Sequence, residues 1–292
     1  MAAIGKLILW VLAALPLRVV HGIGTAVGWG LVVIPNRRRR TTETNLSLCY
    51  PELSDGERLR LSRASLIETG RGLTETSALW LRQDGKILPL VKRTSGEEQL
   101  RDAFAENRGV ILAVPHLGAW EMVGLYCSAH YPITSLYRPP PIAAMEPLMR
   151  QARQRLGARL VPTDANGIRA LYKALSKGEM VGILPDQDPT AGTGVFAPFF
   201  GVAANTMVLL SRLASKTQAP VVFAYAERLS KGRGYHLHFL RGAAGINDRN
   251  LERSTAEVNR MVEQCVRQLP RQYLWCYKRF RTRPPGEPRI YH

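Results

Sequence analysis

The stretch Gly109-Val-Ile-Leu-Ala-Val-Pro-His116-Leu-Gly-Ala-Trp-Glu121 decides the fold. Its first half is a short, unbroken apolar run bounded by a glycine and a proline. A run of that length reads as a buried strand. His116 stands at the C-terminal end of that strand, Gly118 offers a turn, and a helix is expected from about residue 119 to 129. The same alternation continues outward. Strands are expected at 133–137, 180–184, 220–226 and 235–240. Helices are expected at 96–107, 142–156, 166–176, 205–216 and 251–269. Upstream, Ser54 and Glu57 have the spacing of a capping box, so a helix should run from about 55 towards 80, with a break near Gly70 or Gly72. Residues 45–51 read as a loop. Strands alternating with helices imply an α/β fold with a mixed central sheet flanked by helices. In such folds ligands bind beyond the C-terminal ends of strands. Three chemically loaded segments fall there: His116, Tyr137-Arg138 and Asp186-Gln187-Asp188.

The spacing His116-x-x-x-x-Glu121 does not stack both side chains on one regular helix. It suits a histidine placed before the helix and folded back by the turn. Glu121 would then accept from one imidazole nitrogen, and the other nitrogen would face a hydroxyl as general base. This is triad logic with the nucleophilic hydroxyl supplied by the substrate. The plainer alternative is a His and a Glu that only cap a helix; placement directly after a buried strand favours the catalytic reading. Asp186 reads either as an orienter or as a cap of the following turn. The pair Asp186 and Asp188 also invites a magnesium reading. His236-x-His238 puts two imidazoles on one strand face. Metal binding there needs further ligands, so two sheet-face histidines are the simpler reading, and no metal or cofactor is expected. The sequence contains no G-x-S-x-G elbow and no P-loop, which argues against a hydrolase or an NTPase.

The chain has 292 residues and a net charge of +17. Such a charge speaks of partners, not of fold: nucleic acid, anionic lipid, or acidic proteins. Residues 4–35 are almost wholly apolar, interrupted by Lys6, Arg18, His21 and Thr25, and by Pro16. The run exceeds the roughly 20 residues that span a bilayer. Arg37 to Arg40 follow it directly, which suits a stop that keeps the next domain cytoplasmic, not an export signal. Residues 1–36 are therefore expected to be a membrane-anchoring apolar helix, kinked or partly interfacial, and 37–292 a catalytic domain. Beside an apolar span, the arginines read as contacts to lipid headgroups, and no nucleic-acid partner is expected. Gly24-x-x-x-Gly28 has the spacing of a helix-packing face, although such pairs are common by chance in Gly-rich helices. Cys49, Cys127, Cys265 and Cys276 show no zinc or disulfide spacing, and four free thiols are expected.

Several blocks together resemble the lipid A biosynthesis acyltransferases, the lauroyl/myristoyl transferase group within the glycerolipid acyltransferase superfamily. They are Pro35-Asn-Arg-Arg-Arg-Arg40, Asn45-Leu-Ser-Leu-Cys-Tyr-Pro-Glu-Leu-Ser54, the H-x4-E block and Tyr137-Arg138-Pro139. Pro185-Asp-Gln-Asp188, Val195-Phe-Ala-Pro-Phe-Phe200 and the run from Tyr273 to Pro284 complete the set. The resemblance implies an acyl donor on acyl carrier protein and a lipid A precursor as acceptor. It also implies chemistry at the cytoplasmic face of the bacterial inner membrane without a metal. The family's catalytic pair falls on His116 and Glu121, and its substrate-binding positions on Arg138, Arg153 and Asp186; Arg150 and Arg155 are close competitors for Arg153. Guanidinium forks match the phosphates of a diphosphorylated acceptor, and an apolar tunnel should hold the acyl chain. The rival readings are transfer to another membrane lipid, such as a phospholipid or aminolipid, and a non-catalytic protein that binds anionic lipid.

Overall fold

The computed structural model describes residues 2–140, 143–189 and 192–291. Four helices come first: α1 (Ala2–Ala14), α2 (Leu17–Val33), α3 (Arg37–Cys49) and α4 (Asp55–Leu81). Then follow α5 (Asp84–Ile87), β1 (Val91–Ser95), α6 (Glu97–Ala105), β2 (Val110–Ala113), α7 (Trp120–His130), β3 (Ile133–Tyr137), α8 (Glu146–Gln154) and β4 (Arg159–Pro162). The remaining elements are α9 (Ala165–Ser176), β5 (Met180–Ile183), β6 (Gly194–Phe199), β7 (Val202–Met207), α10 (Leu209–Thr217), β8 (Val221–Arg228), β9 (Tyr235–Arg241) and α11 (Leu251–Gln268).

Seven strands form one mixed sheet in the order β1-β9-β8-β2-β5-β3-β4. From β8 to β4 all neighbours are parallel. β9 runs antiparallel to β8 and parallel to β1. The expected α/β class with a mixed sheet is what forms. Side chains alternate across it and build two cores. Ile111, Val181, Phe223 and Tyr225 pack with α9, α10 and α11 on one face. Leu112, Met180, Val222 and Ala224 pack with α4, α6 and α7 on the other.

Several expectations fail for local reasons. The edge strands β1 (Val-Lys-Arg-Thr-Ser) and β4 (Arg-Leu-Val-Pro) carry too little apolar sequence to announce themselves. Residues 205–207 are strand, not helix. They belong to β7, which pairs with β6 across the turn Phe200-Gly201, both at positive φ, the geometry that suits a two-residue hairpin loop. Residues 45–49 finish α3 and are not a loop; the helix is started by Asn36, whose side chain accepts from the Arg39 N–H at 2.9 Å. The expected helix start at Ile142 lies outside the described residues; α8 begins at Glu146.

α4 runs unbroken through Gly70 and Gly72. Gly70 is where α2 crosses it: a Cβ on Gly70 would stand 2.4 Å from Gly28 N, and one on Gly28 would stand 2.4 Å from Ile67 Cα. Gly24 and Gly28 are thus a packing face after all. The glycines let two backbones approach as side chains would not allow. Pro16 separates α1 from α2. No single described helix is long and apolar enough to cross a membrane; α2 and α3 have the length and composition only as a pair bent by 79°. The expected anchoring helix is therefore two short helices. They expose Leu7, Ile8, Trp10, Val11, Ile23, Val27 and Trp29.

Candidate active site

β2 and β5 lie side by side and in register, with Ala113 opposite Ile183. Three residues beyond each strand stand His116 and Asp186, so the parallel register brings them level. His116 Nδ1 lies 2.8 Å from Asp186 Oδ1, and the His116 backbone N–H donates to Asp186 Oδ2 at 2.8 Å. Both residues are buried. Burial opposes a charge on Asp186, but the interaction with His116 and its hydrogen bonds outweigh that cost and hold the carboxyl below its usual range. With Nδ1 turned to the carboxylate, Nε2 faces outward to Gln187 Nε2 at 3.2 Å.

The carboxylate that meets the His116 ring is that of Asp186, whereas the spacing alone had suggested Glu121. Glu121 sits in the first turn of α7 and is paired with Arg153 of α8. Arg153 Nε donates to Glu121 Oε2 at 3.0 Å, and Arg153 Nη2 donates to Glu121 Oε1. Desolvation works against the Arg153 cation, yet Glu121 more than compensates and raises its pKa. The three neighbouring arginines are thereby told apart. Arg150 is exposed and pairs with Glu146. Arg155 turns back to cap α4, donating to Leu79 O at 2.6 Å. Arg138 follows β3 as expected, but it is exposed and makes no ion pair among the described residues.

The turn after His116 is held from behind. Gly118 has φ +62°, and a Cβ there would lie 1.9 Å from Ala226 O, so only glycine fits. Its N–H donates to Gln272 O at 3.0 Å, and the Ala119 N–H donates to Ala226 O at 2.8 Å. Arg228 Nη2 donates to Gly118 O at 2.8 Å. Arg228 is itself buried and donates through Nε to Glu75 Oε1 at 2.7 Å. Glu75 Oε2 accepts from Tyr235 at 3.1 Å and faces His21 Nε2 at 3.0 Å. Despite full burial, Arg228 and His21 keep Glu75 below the usual carboxylate range. A buried ionic chain thus links α2, α4 and β8 to the turn after His116. Sequence reasoning missed Arg228, Gln272 and Gln187. The first two carry no local signal; Gln187 stood inside a segment already singled out.

The C-terminal aromatic block closes the same side. Leu274 N–H donates to His116 O at 3.1 Å. Asn45 donates to Trp275 O and Tyr277 O, both at 2.7 Å, and Tyr50 packs on Phe200 and Trp275. Asp188 accepts from Asn205, Arg281 and Thr282. Its carboxylate therefore ties down the chain end and does not join Asp186 around a cation. Two surface pockets of about 480 and 140 Å³ are lined by Lys92, Arg93, Leu229 and Arg233, and by residues around Arg18, His21 and Arg228. Neither is the apolar tunnel expected beside His116.

The bacterial lipid A biosynthesis acyltransferase family model matches residues 1–282. The chain belongs to that family. It is 31% identical over 288 residues to the lipid A biosynthesis lauroyltransferase of Escherichia coli (strain K12), covering 97% of this chain and 92% of the relative. It is equally 31% identical to the palmitoleoyltransferase of the same organism, covering 97% and 92%. Against its myristoyltransferase the identity is 27%, covering 87% and 78%. Acyl specificity therefore varies among the lipid A acyltransferases that this chain resembles, and a transferase activity is supported. The blocks that carried the resemblance, from Asn45, His116, Asp186 and Tyr273, are the ones that meet at this site.

Proposed function

We propose that the chain transfers a fatty acyl group, lauroyl or similar, from acyl carrier protein to a hydroxyl of a lipid A precursor. The observation that carries this reading is the His116–Asp186 pair beyond the C-terminal ends of two parallel strands, β2 and β5, in a member of this family. His116 Nε2 removes the proton of the acceptor hydroxyl as it attacks the thioester carbonyl. Asp186 fixes the tautomer and offsets the imidazolium charge. The tetrahedral intermediate then collapses, the C–S bond breaks, and the leaving thiolate takes the proton from His116. Glu121 remains essential in this scheme through Arg153. It holds a guanidinium at the first turn of α7, the helix that follows the His116 turn, and that guanidinium would meet a phosphate of the acceptor or the developing oxyanion. Arg138, exposed and without an ion pair among the described residues, is a second phosphate ligand.

In this reading the reaction runs at the inner membrane, with the catalytic domain on the cytoplasmic face. The exposed apolar faces of α1 and α2 and the basic turn Arg37–Arg40 support an interfacial seat on an anionic membrane surface. A strongly basic chain also suits an acidic carrier protein. The test is acyl transfer by the purified full chain to a lipid A precursor in mixed micelles, with acyl-acyl carrier protein and acyl-coenzyme A compared as donors. Transfer that prefers the carrier thioester supports the reading. Equal use of both donors removes the carrier from it, and transfer only to a phospholipid or aminolipid replaces the acceptor.

A further inference from the structure

On the sheet face opposite α7, three potential metal ligands converge. The antiparallel ladder sets Glu227 opposite His236 and Tyr225 opposite His238, so all four side chains lie on one face. We propose that Glu227, His236 and His238 bind one divalent transition-metal ion of the zinc class.

The geometry is that of a preformed site. The ligand atoms of the three residues lie within 4.8 Å of one another. His238 Nε2 is 3.4 Å from Glu227 Oε2, and His236 Nδ1 is 3.6 Å from the same oxygen. Zinc–nitrogen and zinc–oxygen bonds of roughly 2.0–2.2 Å give tetrahedral edges of about 3.3–3.5 Å, so these separations need little change. Neither contact is a good hydrogen bond, and His236 Nδ1 is buried without a hydrogen-bond partner among the described residues. An orphaned buried nitrogen is costly unless something occupies its lone pair.

The surrounding groups set that lone pair. His236 Nε2 lies 2.8 Å from Ser95 Oγ on β1. When Nε2–H donates to Ser95, Nδ1 is bare and points at Glu227. A partner that fixes the tautomer in this way is the usual companion of a metal-bound histidine. The His238 ring is stacked on Tyr225 at 4.6 Å and 11°, which fixes its plane. Arg93 stands opposite His236 on the neighbouring strand β1. Its charge opposes a bound dication, and the Glu227 carboxylate offsets it. The side chains of Glu227 and His238 are 26% and 23% exposed, which gives an entry path and leaves a fourth position to solvent. Two imidazoles and one carboxylate select zinc, cobalt or nickel over magnesium and calcium. The ion would cross-link β8 and β9 beside Arg228, which supports the catalytic turn from the other face.

The test uses the untagged full chain, stripped with a chelator and titrated with Zn²⁺ and Co²⁺. The expected result is one saturable equivalent, a tetrahedral Co²⁺ absorption spectrum, and a Tm that rises with Zn²⁺ but not with Mg²⁺. His236→Gln and Glu227→Gln should each weaken binding at least about 100-fold, and Ser95→Ala about 10–100-fold, as loss of an orienting partner does. Circular dichroism and the metal-free Tm of each variant confirm folding. If these variants do not fold, His238→Gln, at the more exposed ligand, carries the test with the same expectation. Binding that survives His236→Gln in a folded protein, or no saturable Zn²⁺ binding by the wild type below about 100 µM, overturns the site.

Discussion

Asp186 grips His116 twice, once at the ring Nδ1 and once at the backbone N–H, both at 2.8 Å. One carboxylate thus sets both the imidazole plane and the start of the catalytic turn. His116→Ala should lower turnover by about 10²–10⁴-fold, the usual cost of losing a general base. Asp186→Asn keeps the shape but removes the charge, and should be comparably impaired. If the two act as one unit, the double variant should be little worse than His116→Ala alone. Near-normal transfer by a folded His116→Ala protein would sink the mechanism.

Glu121 and Arg153 form a bidentate pair that does not touch the ring nitrogens of His116. Glu121→Gln should therefore raise KM for the acceptor or lower kcat without moving the pH profile, whereas Asp186→Asn should move it. Arg153→Ala should behave like Glu121→Gln in the acceptor titration. Each substitution should also cost about 1–3 kcal/mol of stability, the range for losing charged hydrogen bonds, read from denaturant melts. A shifted pH profile in Glu121→Gln would show that Glu121 acts through His116 after all.

Acid should destabilise this protein through two buried carboxyls. Asp186 and Glu75 are both held below their ordinary values of 3.8 and 4.5. A depressed carboxyl contributes stability that is complete above its unfolded pKa and is lost as pH falls through the folded one. Tm should thus be flat from neutrality to about pH 5 with respect to these groups and fall below about pH 4.5. The comparison that checks it is Glu75→Gln. That variant should melt lower at pH 7, by about 3–5 kcal/mol, because it leaves the buried Arg228 with only the more distant Glu68 carboxylate, 3.7 Å away, as charge partner. Its acid slope should also be shallower.

Two glycines answer to backbone contact. Gly118→Ala places a methyl against Ala226 O and forces a left-handed φ on a non-glycine residue. It should abolish transfer even where the protein still folds, since the His116 turn must leave β8. Gly28→Leu pushes α2 away from α4 and should cost at least about 1–3 kcal/mol, as overpacking does. A thermal melt and a transfer assay separate the two effects; wild-type activity in Gly118→Ala would refute the first.

The exposed apolar residues of α1 and α2 should set membrane affinity. Deleting 1–36 is a poor test, because His21 and Val20 are bound into α4. Trp10→Ser with Trp29→Ser, both at exposed positions, should reduce binding to anionic vesicles while leaving Tm unchanged. Each buried indole contributes on the order of 2 kcal/mol of apolar transfer. Unchanged sedimentation with vesicles would move the membrane contact elsewhere.

Much of the architecture could be read from local pattern. Residues 110–113, 180–183 and 221–226 are continuous apolar runs because a parallel strand covered on both faces has no polar side to show. The capping box at Ser54 and Glu57 is entirely local, and it forms. His116 could be singled out for the same reason: a polar residue directly after a buried strand is conspicuous. Its partner could not be found that way. Glu121 is five residues along the chain, while Asp186 is seventy, and only the in-register pairing of β2 with β5 makes the distant carboxylate the near one. Arg153 could not be separated from Arg150 and Arg155 until helix packing turned one towards α7, one to solvent and one to the end of α4. The ionic chain from His21 through Glu75 and Arg228 to Gly118 likewise joins residues from four remote segments with no shared motif. Periodicity along the chain records which face is buried; it holds no record of which buried faces meet, because that is settled by strand order and helix crossing in three dimensions.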